Sequence, residues 1–413
     1  MASASFRLVR LNNRFLKCPE SFARPVVVIC FDGLDPNYVI AADRKGVIPT
    51  ISNMIKKGFY SEVRCSMPSF TNPNNISIVT GESTNVHGIC GNYFFDSTTN
   101  TEVMMNDPKY LTAENTIFSK FYEEKYKVGA VTAKNKLFNL LSYKLKFDQQ
   151  ENHHPICFSV EGAKEAVFEK NGIDNLINQL GDPPDIYSAE SSVYVLKAGV
   201  HLQNNSKLRR DILYLSTTDY VFHKYGPEES ESMDYLREMD NQTSELIKSD
   251  CLVAITADHG MNAKNKGVIY LEEIVPSTST VILPITDPYV KHHASLGSYA
   301  TIYLSKEELK NTDSIIQTLL RTEGIESVYK REKAAKLFNL PKDRIGHLVL
   351  VSKKQYVLGT SKSKHDLSVL DRPLRSHGGL TEQKVPFILS SVLKTKRKPR
   401  NNYDIFEYCL NDL

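Results

Sequence analysis

Three aspartates and three histidines follow apolar stretches of the chain, and their residue types are those that bind metal ions. They are Asp32, Asp219, His223, Asp258, His259 and His377. Asp219 and His223 are four residues apart, so both would lie on one face of a helix. Carboxylates and imidazoles suit zinc, and such sites also accept manganese or iron. Six ligands divide naturally between two metal ions about 3.5 to 4 Å apart, an arrangement that clamps phosphoryl oxygens.

Thr71 begins the stretch TNPNNISIVTG, in which Pro73 suits a first helical turn and Gly81 suits a helix end. One interpretation makes Thr71 an N-cap that satisfies a free backbone N–H. A second interpretation places an anion at the helix N-terminus, with the Thr71 hydroxyl facing it. Beside two metal ions that hydroxyl would ionise and attack phosphorus. Thr71 is therefore the candidate nucleophile.

Four continuous apolar runs are expected to form the strands that position these side chains. The runs are VVVICF (26–31), KVGAVT (127–132), DILYLST (211–217) and CLVAIT (251–256). Helical stretches at 50–58, 115–125 and 228–248 lie between them, an alternation that predicts a doubly wound α/β core. The runs end close to polar residues, namely Asp32, Lys134, Asp219 and Asp258. Ligands bind at the carboxyl ends of the strands in such sheets.

A change of pattern near residue 262 predicts a second unit. The segments SYATIYL, ESVYKREKAAKLFNL and HLVLVS suggest a smaller α/β unit, and the apolar run VPFILSSVL (385–393) returns to the core pattern. We predict a catalytic core of residues 1–261 and 372–413, with 262–371 inserted as a cap whose two crossings lie beside the site. Lys264 stands at the first crossing, where it would face either the site or solvent.

The composition argues against two classes of partner. The 413 residues carry a formal net charge of +3, too small to indicate a nucleic-acid surface. No apolar stretch approaches the roughly 18 to 20 residues of a membrane span. Seven cysteines without a CxxC pair favour reduced thiols and a cytoplasmic location. Residues 1–17 contain four basic residues and no acidic one, which leaves an organelle-targeting segment as the alternative. A homodimer is left open.

Taken in order, the candidate ligands and Thr71 resemble the alkaline phosphatase superfamily, in its nucleotide pyrophosphatase/phosphodiesterase-like branch. Val79-Thr80-Gly81, His87-Gly88 and Asn92 match the shared pattern of that branch. The phosphodiesterases usually carry Thr-Phe-Pro-Asn-His at the nucleophile, whereas Thr71-Asn72-Pro73-Asn74-Asn75 resembles the phosphonoacetate hydrolases. The segments VTAKNKL, HGICGNYFFD, TTDYVFHKYGP and ADHGMNAK are similar to the same family.

The resemblance implies a role for each matching residue. It implies one zinc ion bound by Asp32, Thr71, Asp258 and His259, and a second bound by Asp219, His223 and His377. It further implies that Asn92 donates a hydrogen bond to a phosphonate oxygen. Lys134 and Lys136 would contact the carboxylate of a small anionic organophosphonate. An extended chain would place these two lysines on one face, whereas a helix start would leave them as solvated side chains.

The expected reaction is cleavage of the carbon–phosphorus bond of phosphonoacetate to acetate and phosphate, through a phospho-threonine at Thr71. A carbanion next to a carboxylate delocalises as an enolate, which ammonium groups stabilise. A phosphodiesterase or nucleotide pyrophosphatase is the alternative, although it would need an apolar slot where Asn72 stands. A non-catalytic anion-binding protein would be favoured by the loss of ligands, and all of them are present.

Overall fold

A seven-stranded, mostly parallel sheet forms the centre of the protein. The structure is a computed structural model that describes residues 6–147, 152–286 and 293–411. In spatial order the strands are Phe59–Arg64, Lys384–Leu389, Leu252–Thr256, Val26–Cys30, Ile212–Ser216, Val128–Thr132 and Ile156–Ser159. The strand Lys384–Leu389 is antiparallel to both of its neighbours. All other neighbouring strands in this sheet are parallel. The α/β fold class and the four predicted strands are confirmed.

Burial explains why the predicted runs form strands of this sheet. Every residue of Val26–Cys30, Val128–Thr132 and Ile212–Ser216 is buried. Successive residues of a strand point to opposite faces of the sheet, so a strand in which every residue is buried has both faces covered and is apolar without alternation. Helices Ala189–Asn204 and Ser230–Lys248 pack against each other and against the sheet.

Fourteen α-helices lie in the described residues, including one in each stretch predicted to be helical. They are Pro36–Arg44, Pro49–Lys57, Thr71–Thr80, Thr84–His87, Ile117–Glu123, Asn135–Leu141, Phe168–Asn171, Leu176–Leu180, Ala189–Asn204, Tyr220–Lys224, Ser230–Lys248, Thr312–Arg321, Arg331–Phe338 and Ile405–Asn411. Within the described ranges, no helix is both long enough and apolar enough to cross a bilayer.

The remaining strands of the described residues form five small sheets. Antiparallel pairs are Phe6–Leu11 with Arg14–Pro19, Tyr93–Asp96 with Thr101–Met104, and Asn262–Ala263 with Arg375–Ser376. Gly267–Tyr270 is parallel to Tyr356–Gly359. A four-stranded sheet has the order Thr280–Ile282, Tyr299–Tyr303, Leu348–Ser352 and Ile325–Lys330. Of the segment considered for targeting, residues 6–17 belong to the first hairpin, and residues 1–5 lie outside the described residues.

The pairing of strands bears on the predicted cap. Among the described residues, the strands between 267 and 359 pair with one another, and none of them joins the seven-stranded sheet. The chain enters and leaves this region side by side, because Asn262 pairs with Ser376 and Ala263 with Arg375. Both crossings are close in sequence to His259 and His377. The division at residues 262 and 371 stays a prediction.

Candidate active site

The carboxyl ends of three parallel strands bring three aspartates together. Asp32 and Asp258 each follow a central strand by two residues, and Asp219 follows the adjacent strand by three. All three carboxylates are buried. The Asp32 backbone N–H donates to the hydroxyl of Thr217 at 2.9 Å, and the Gly33 N–H donates to Asp258 Oδ1 at 3.1 Å. These bonds fix the turns that follow the strands.

Asp219 and His223 meet as their spacing predicts. Asp219 is the N-cap of the short helix Tyr220–Lys224, so the two side chains are one turn apart. His223 Nε2 lies 3.0 Å from Asp219 Oδ2. The same carboxylate oxygen lies 3.6 Å from His377 Nε2 and 4.0 Å from His259 Nε2. Asp219 Oδ2 therefore stands at the centre of three imidazoles.

Backbone carbonyls orient all three imidazoles in the same way. The Nδ1 atoms of His223, His259 and His377 lie 2.7, 3.0 and 2.8 Å from the carbonyl oxygens of Arg375, Gly260 and Ser69, respectively. A carbonyl only accepts, so each Nδ1 carries the proton and donates it. In the neutral ring Nε2 then carries the lone pair, as in most metal-binding histidines, whose second nitrogen is held in this way.

The ligand atoms fit divalent metal ions. Asp219, His223 and His377 form one cluster whose ligand atoms all lie within 4.8 Å of one another, and Asp32, Asp219 and His259 form another. Asp32 Oδ1 and His259 Nε2 are 3.2 Å apart, and both side chains are buried. A buried carboxylate oxygen and an imidazole nitrogen at this distance are stabilised by a cation between them, either the proton that charges His259 or a metal ion. Asp258 is adjacent, with Oδ2 3.7 Å from His259 Nε2.

The charges of the two stacked rings, His259 and His377, differ. Their centroids are 3.5 Å apart and their planes are nearly parallel. Burial opposes the imidazolium form of His259, but the carboxylates of Asp258 and Asp32 outweigh burial and raise its pKa to about 9. Burial, together with His259 and His223, holds the pKa of His377 well below its usual value. The site thus favours positive charge at the position of His259.

Thr71 is the first residue of the helix Thr71–Thr80, and it is not the N-cap. Phe70 occupies the N-cap position, and no side chain caps the helix. The capping interpretation of the Thr71 hydroxyl is therefore wrong. Gly81 ends the helix in the left-handed conformation, as expected. The side chain of Thr71 is almost fully buried, at 2% exposure.

Two asparagines that follow Thr71, Asn72 through its backbone and Asn75 through its side chain, connect the helix to the rest of the site. The Asn72 N–H donates to Asn92 Oδ1 at 3.1 Å. Asn75 Nδ2 lies 3.0 Å from the Thr71 carbonyl and 3.3 Å from Asp258 Oδ2. Asn75 Oδ1 accepts from the hydroxyls of Tyr214 and Ser216, both at 2.8 Å. Sequence reasoning missed the positioning role of Asn75, although the density of amides after Thr71 was its signal.

Both lysines stand at the start of one helix. Lys134 is the N-cap of the helix Asn135–Leu141, and Lys136 is the second residue of that helix. Of the two arrangements that the sequence left open, the extended one is wrong, because the helix begins directly after Lys134. Neither lysine is solvated, since their exposures are 2% and 5%. Lys134 Nζ lies 2.9 Å from Asp32 Oδ2 and 3.0 Å from Asp219 Oδ1.

Sequence and structure comparisons define the family. The profile of the family "Type I phosphodiesterase / nucleotide pyrophosphatase" matches residues 26–380, and the chain belongs to this family. Human ectonucleotide pyrophosphatase/phosphodiesterase family member 1 is 27% identical over 285 residues, which are 64% of this chain and 27% of that protein. Bis(5'-adenosyl)-triphosphatase enpp4 of Xenopus laevis is 24% identical over 65% of this chain. The chain spans 56% of that relative's length.

Solved structures confirm the particular resemblance expected from the motifs. Phosphonoacetate hydrolase from Sinorhizobium meliloti 1021, in complexes with phosphonoformate and with phosphonoacetate, is 43% identical, with a TM-score of 0.91. The alignment covers 98% of this chain and 99% of that one. Murine ectonucleotide pyrophosphatase / phosphodiesterase 5 is 20% identical, with a TM-score of 0.66 over 94% of this chain and 96% of its own. That second likeness concerns the fold.

Proposed function

We propose that this protein hydrolyses the carbon–phosphorus bond of phosphonoacetate, giving acetate and phosphate. The observation that carries the proposal is the 43% identity and TM-score of 0.91, over nearly the whole chain, to a phosphonoacetate hydrolase. The buried side chain of Lys136 supports it, because a dianion that also carries a carboxylate needs positive charge at both ends. Lys134, which pairs with Asp32 and Asp219, is the second candidate for contact with the substrate carboxylate.

Two divalent ions complete the proposed site, with zinc the first choice and manganese or iron the alternatives. Asp32, Asp258, His259 and Thr71 would hold one ion, and Asp219, His223 and His377 the other. When bound, such ions lower the pKa of coordinated hydroxyl groups and water and stabilise charge on phosphoryl oxygens. Asp219 is within reach of both clusters, a placement that the resemblance does not imply.

The residues of the chain would act in two half-reactions. The Thr71 oxygen attacks phosphorus and forms an O–P bond as the C–P bond breaks. The electron pair passes to carbon and delocalises into the substrate carboxylate. Carbon then takes up a proton from water to give acetate, which balances the proton that the Thr71 hydroxyl releases to solvent. Asn92 donates to a phosphonate oxygen, and the lysine ammonium groups stabilise the enolate-like charge. Water next hydrolyses the phospho-threonine, which releases phosphate and restores Thr71.

The test is the rate of phosphate release from phosphonoacetate, compared with nitrophenol release from a nitrophenyl phosphodiester. We expect phosphonoacetate to have the larger kcat/KM. A larger value for the diester would contradict the proposal and favour the alternative function, a phosphodiesterase or nucleotide pyrophosphatase. The family profile and the curated relatives favour that alternative. Against it, the residue after Thr71 is the buried amide Asn72, which offers no apolar surface to a nucleoside.

A separate prediction concerns the roles of Lys136 and Lys134. Replacing Lys136 with Ala should lower kcat/KM for phosphonoacetate at least about tenfold, equal to roughly 1.4 kcal/mol of transition-state stabilisation. Turnover of an aryl phosphate should change little, because its leaving group is stable and it has no carboxylate. Lys134→Ala should affect both substrates, since Lys134 also pairs with Asp32 and Asp219.

Steady-state assays of both substrates check this prediction. Lys248→Ala is the control, because that side chain is largely exposed and belongs to a helix outside the site. Equal losses on the two substrates for Lys136→Ala would show that Lys136 supports the fold or the phosphoryl group. The assignment of its ammonium to the substrate carboxylate would then be wrong.

A further inference from the structure

A buried ion pair, Lys264–Glu382, lies next to the candidate ligands without belonging to them. Lys264 Nζ is 2.9 Å from Glu382 Oε1, and both side chains are fully buried. The other two ammonium hydrogen bonds go to Ser298 Oγ at 2.6 Å and to the Lys354 carbonyl at 2.9 Å. Burying two charges costs several kcal/mol per ion, so the pair is a poor source of stability. Its position suggests another role.

Glu382 contacts two of the three segments that carry histidine ligands, those of His259 and His377. Its Oε1 accepts from Asn262 Nδ2 at 2.7 Å, and its backbone carbonyl accepts from the Gly260 N–H at 2.7 Å. Gly260 and Asn262 follow His259 by one and three residues. The second carboxylate oxygen, Oε2, accepts from the Gly379 N–H at 3.0 Å. Gly379 follows His377 by two residues, so one side chain holds the two segments in register.

Ser69 continues this network to the nucleophile. The Ser69 hydroxyl donates to the Gly379 carbonyl at 2.9 Å and accepts from the Gly378 N–H at 3.1 Å. The Ser69 carbonyl accepts from His377 Nδ1 at 2.8 Å, the bond that orients that ring. Ser69 is two residues before Thr71. Hydrogen bonds through Gly379 and Ser69 thus connect the Glu382 carboxylate to the start of the nucleophile helix.

Lys264 adds a contact from the other side of His377. The ammonium donates to the Ser298 hydroxyl, and the Ser298 backbone N–H donates to the His377 carbonyl at 2.8 Å. Ser298 lies in the segment predicted to form the cap. The ion pair therefore joins that segment to the strand ends at the point where His377 enters the site.

We infer that Lys264 and Glu382 are positioning residues, which set the places of His259, His377 and Thr71 relative to one another for metal binding and catalysis. This inference rests on the proposed function for its catalytic part. The part of the inference that concerns metal affinity does not depend on the identity of the substrate. Groups that orient metal ligands typically change metal affinity or activity by 10–100-fold when they are replaced.

Glu382→Gln is the decisive variant. Glutamine keeps the size of the side chain, but an amide offers only one acceptor oxygen where Glu382 uses two, toward Asn262 and toward Gly379. We expect zinc affinity, measured by chelator competition on the intact protein, to fall about 10–100-fold. We expect kcat for phosphonoacetate at saturating zinc to fall at least about tenfold, with a smaller change in KM.

The double variant Lys264→Met, Glu382→Gln separates positioning from charge balance. It buries no lone charge, so its melting temperature should recover relative to Glu382→Gln. Its zinc affinity and kcat should remain low, because the Gly379 N–H still lacks its carboxylate. Asp240→Asn is the matched control, because Asp240 is an equally buried carboxylate that accepts from the Thr50 and Ile51 N–H groups. That control should lose stability and keep zinc affinity.

Two outcomes would overturn the inference. One is wild-type zinc affinity and kcat in folded Glu382→Gln. The other is recovery of zinc affinity and kcat together with the melting temperature in the double variant. That result would show that the ion pair contributes to stability and does not position the ligands. If the wild-type protein does not turn over phosphonoacetate, the proposed function fails, and the zinc measurements still decide whether the pair positions the ligands.

Discussion

Thr71→Ala is expected to lose both phosphonoacetate hydrolysis and aryl phosphate hydrolysis, by at least about 10³-fold in kcat, or roughly 4 kcal/mol. Both reactions would pass through the same phospho-threonine, so removing the attacking oxygen removes the first step of each. The substitution is mild for the fold. Thr71 is the first residue of its helix, Phe70 is the N-cap, and no side chain caps the helix.

Rapid acid quenching tests the same idea directly. Mass spectrometry of the quenched wild-type enzyme should find phosphate on the peptide that contains Thr71, and the Ala variant should carry none. Thr71→Ser is the matched control, because it keeps the hydroxyl and should retain measurable turnover. If Thr71→Ala keeps more than about a tenth of wild-type kcat on phosphonoacetate, Thr71 is not the nucleophile.

The sequence was sufficient to predict four of the seven strands of the central sheet and the polar residues at their carboxyl ends. Runs such as VVVICF are apolar at every position because strands buried on both faces have no solvent side. Asp32, Asp219 and Asp258 come together because parallel strands end at one edge of the sheet. The antiparallel direction of Lys384–Leu389 could not be predicted from its composition, since that direction depends on where the chain returns from the 262–371 region.

The orientation of side chains within the site was less predictable. Each imidazole is fixed by a carbonyl, and two of these are distant in sequence: Arg375 for His223 and Ser69 for His377. No local pattern indicates such partners. The arrangement of the two lysines stayed open for a local reason. Residues two apart lie on one face of a strand but not of a helix, and a helix starts between Lys134 and Lys136.

Removal of divalent ions should abolish turnover of phosphonoacetate, and added zinc should restore it. Elemental analysis of the active protein should find two ions per chain, because six aspartate and histidine side chains converge at the strand ends. Three buried carboxylates, those of Asp32, Asp219 and Asp258, stand side by side at this site, and their negative charge favours bound cations. Finding clearly less than one ion per chain in active enzyme would contradict the proposal.

Asp219→Asn should lower metal content more than any other single change at the site. Asp219 Oδ2 lies within 4.0 Å of the Nε2 atoms of His223, His377 and His259, so this single oxygen is close to all three imidazoles of the candidate ligand set. The amide removes a negative charge that adjoins both candidate clusters, and we expect activity to fall at least about 10²-fold, or roughly 2.7 kcal/mol. Asp240→Asn, a buried aspartate remote from the site, should keep both ions and its activity. Equal ion content in Asp219→Asn and wild type would show that Asp219 does not bind metal.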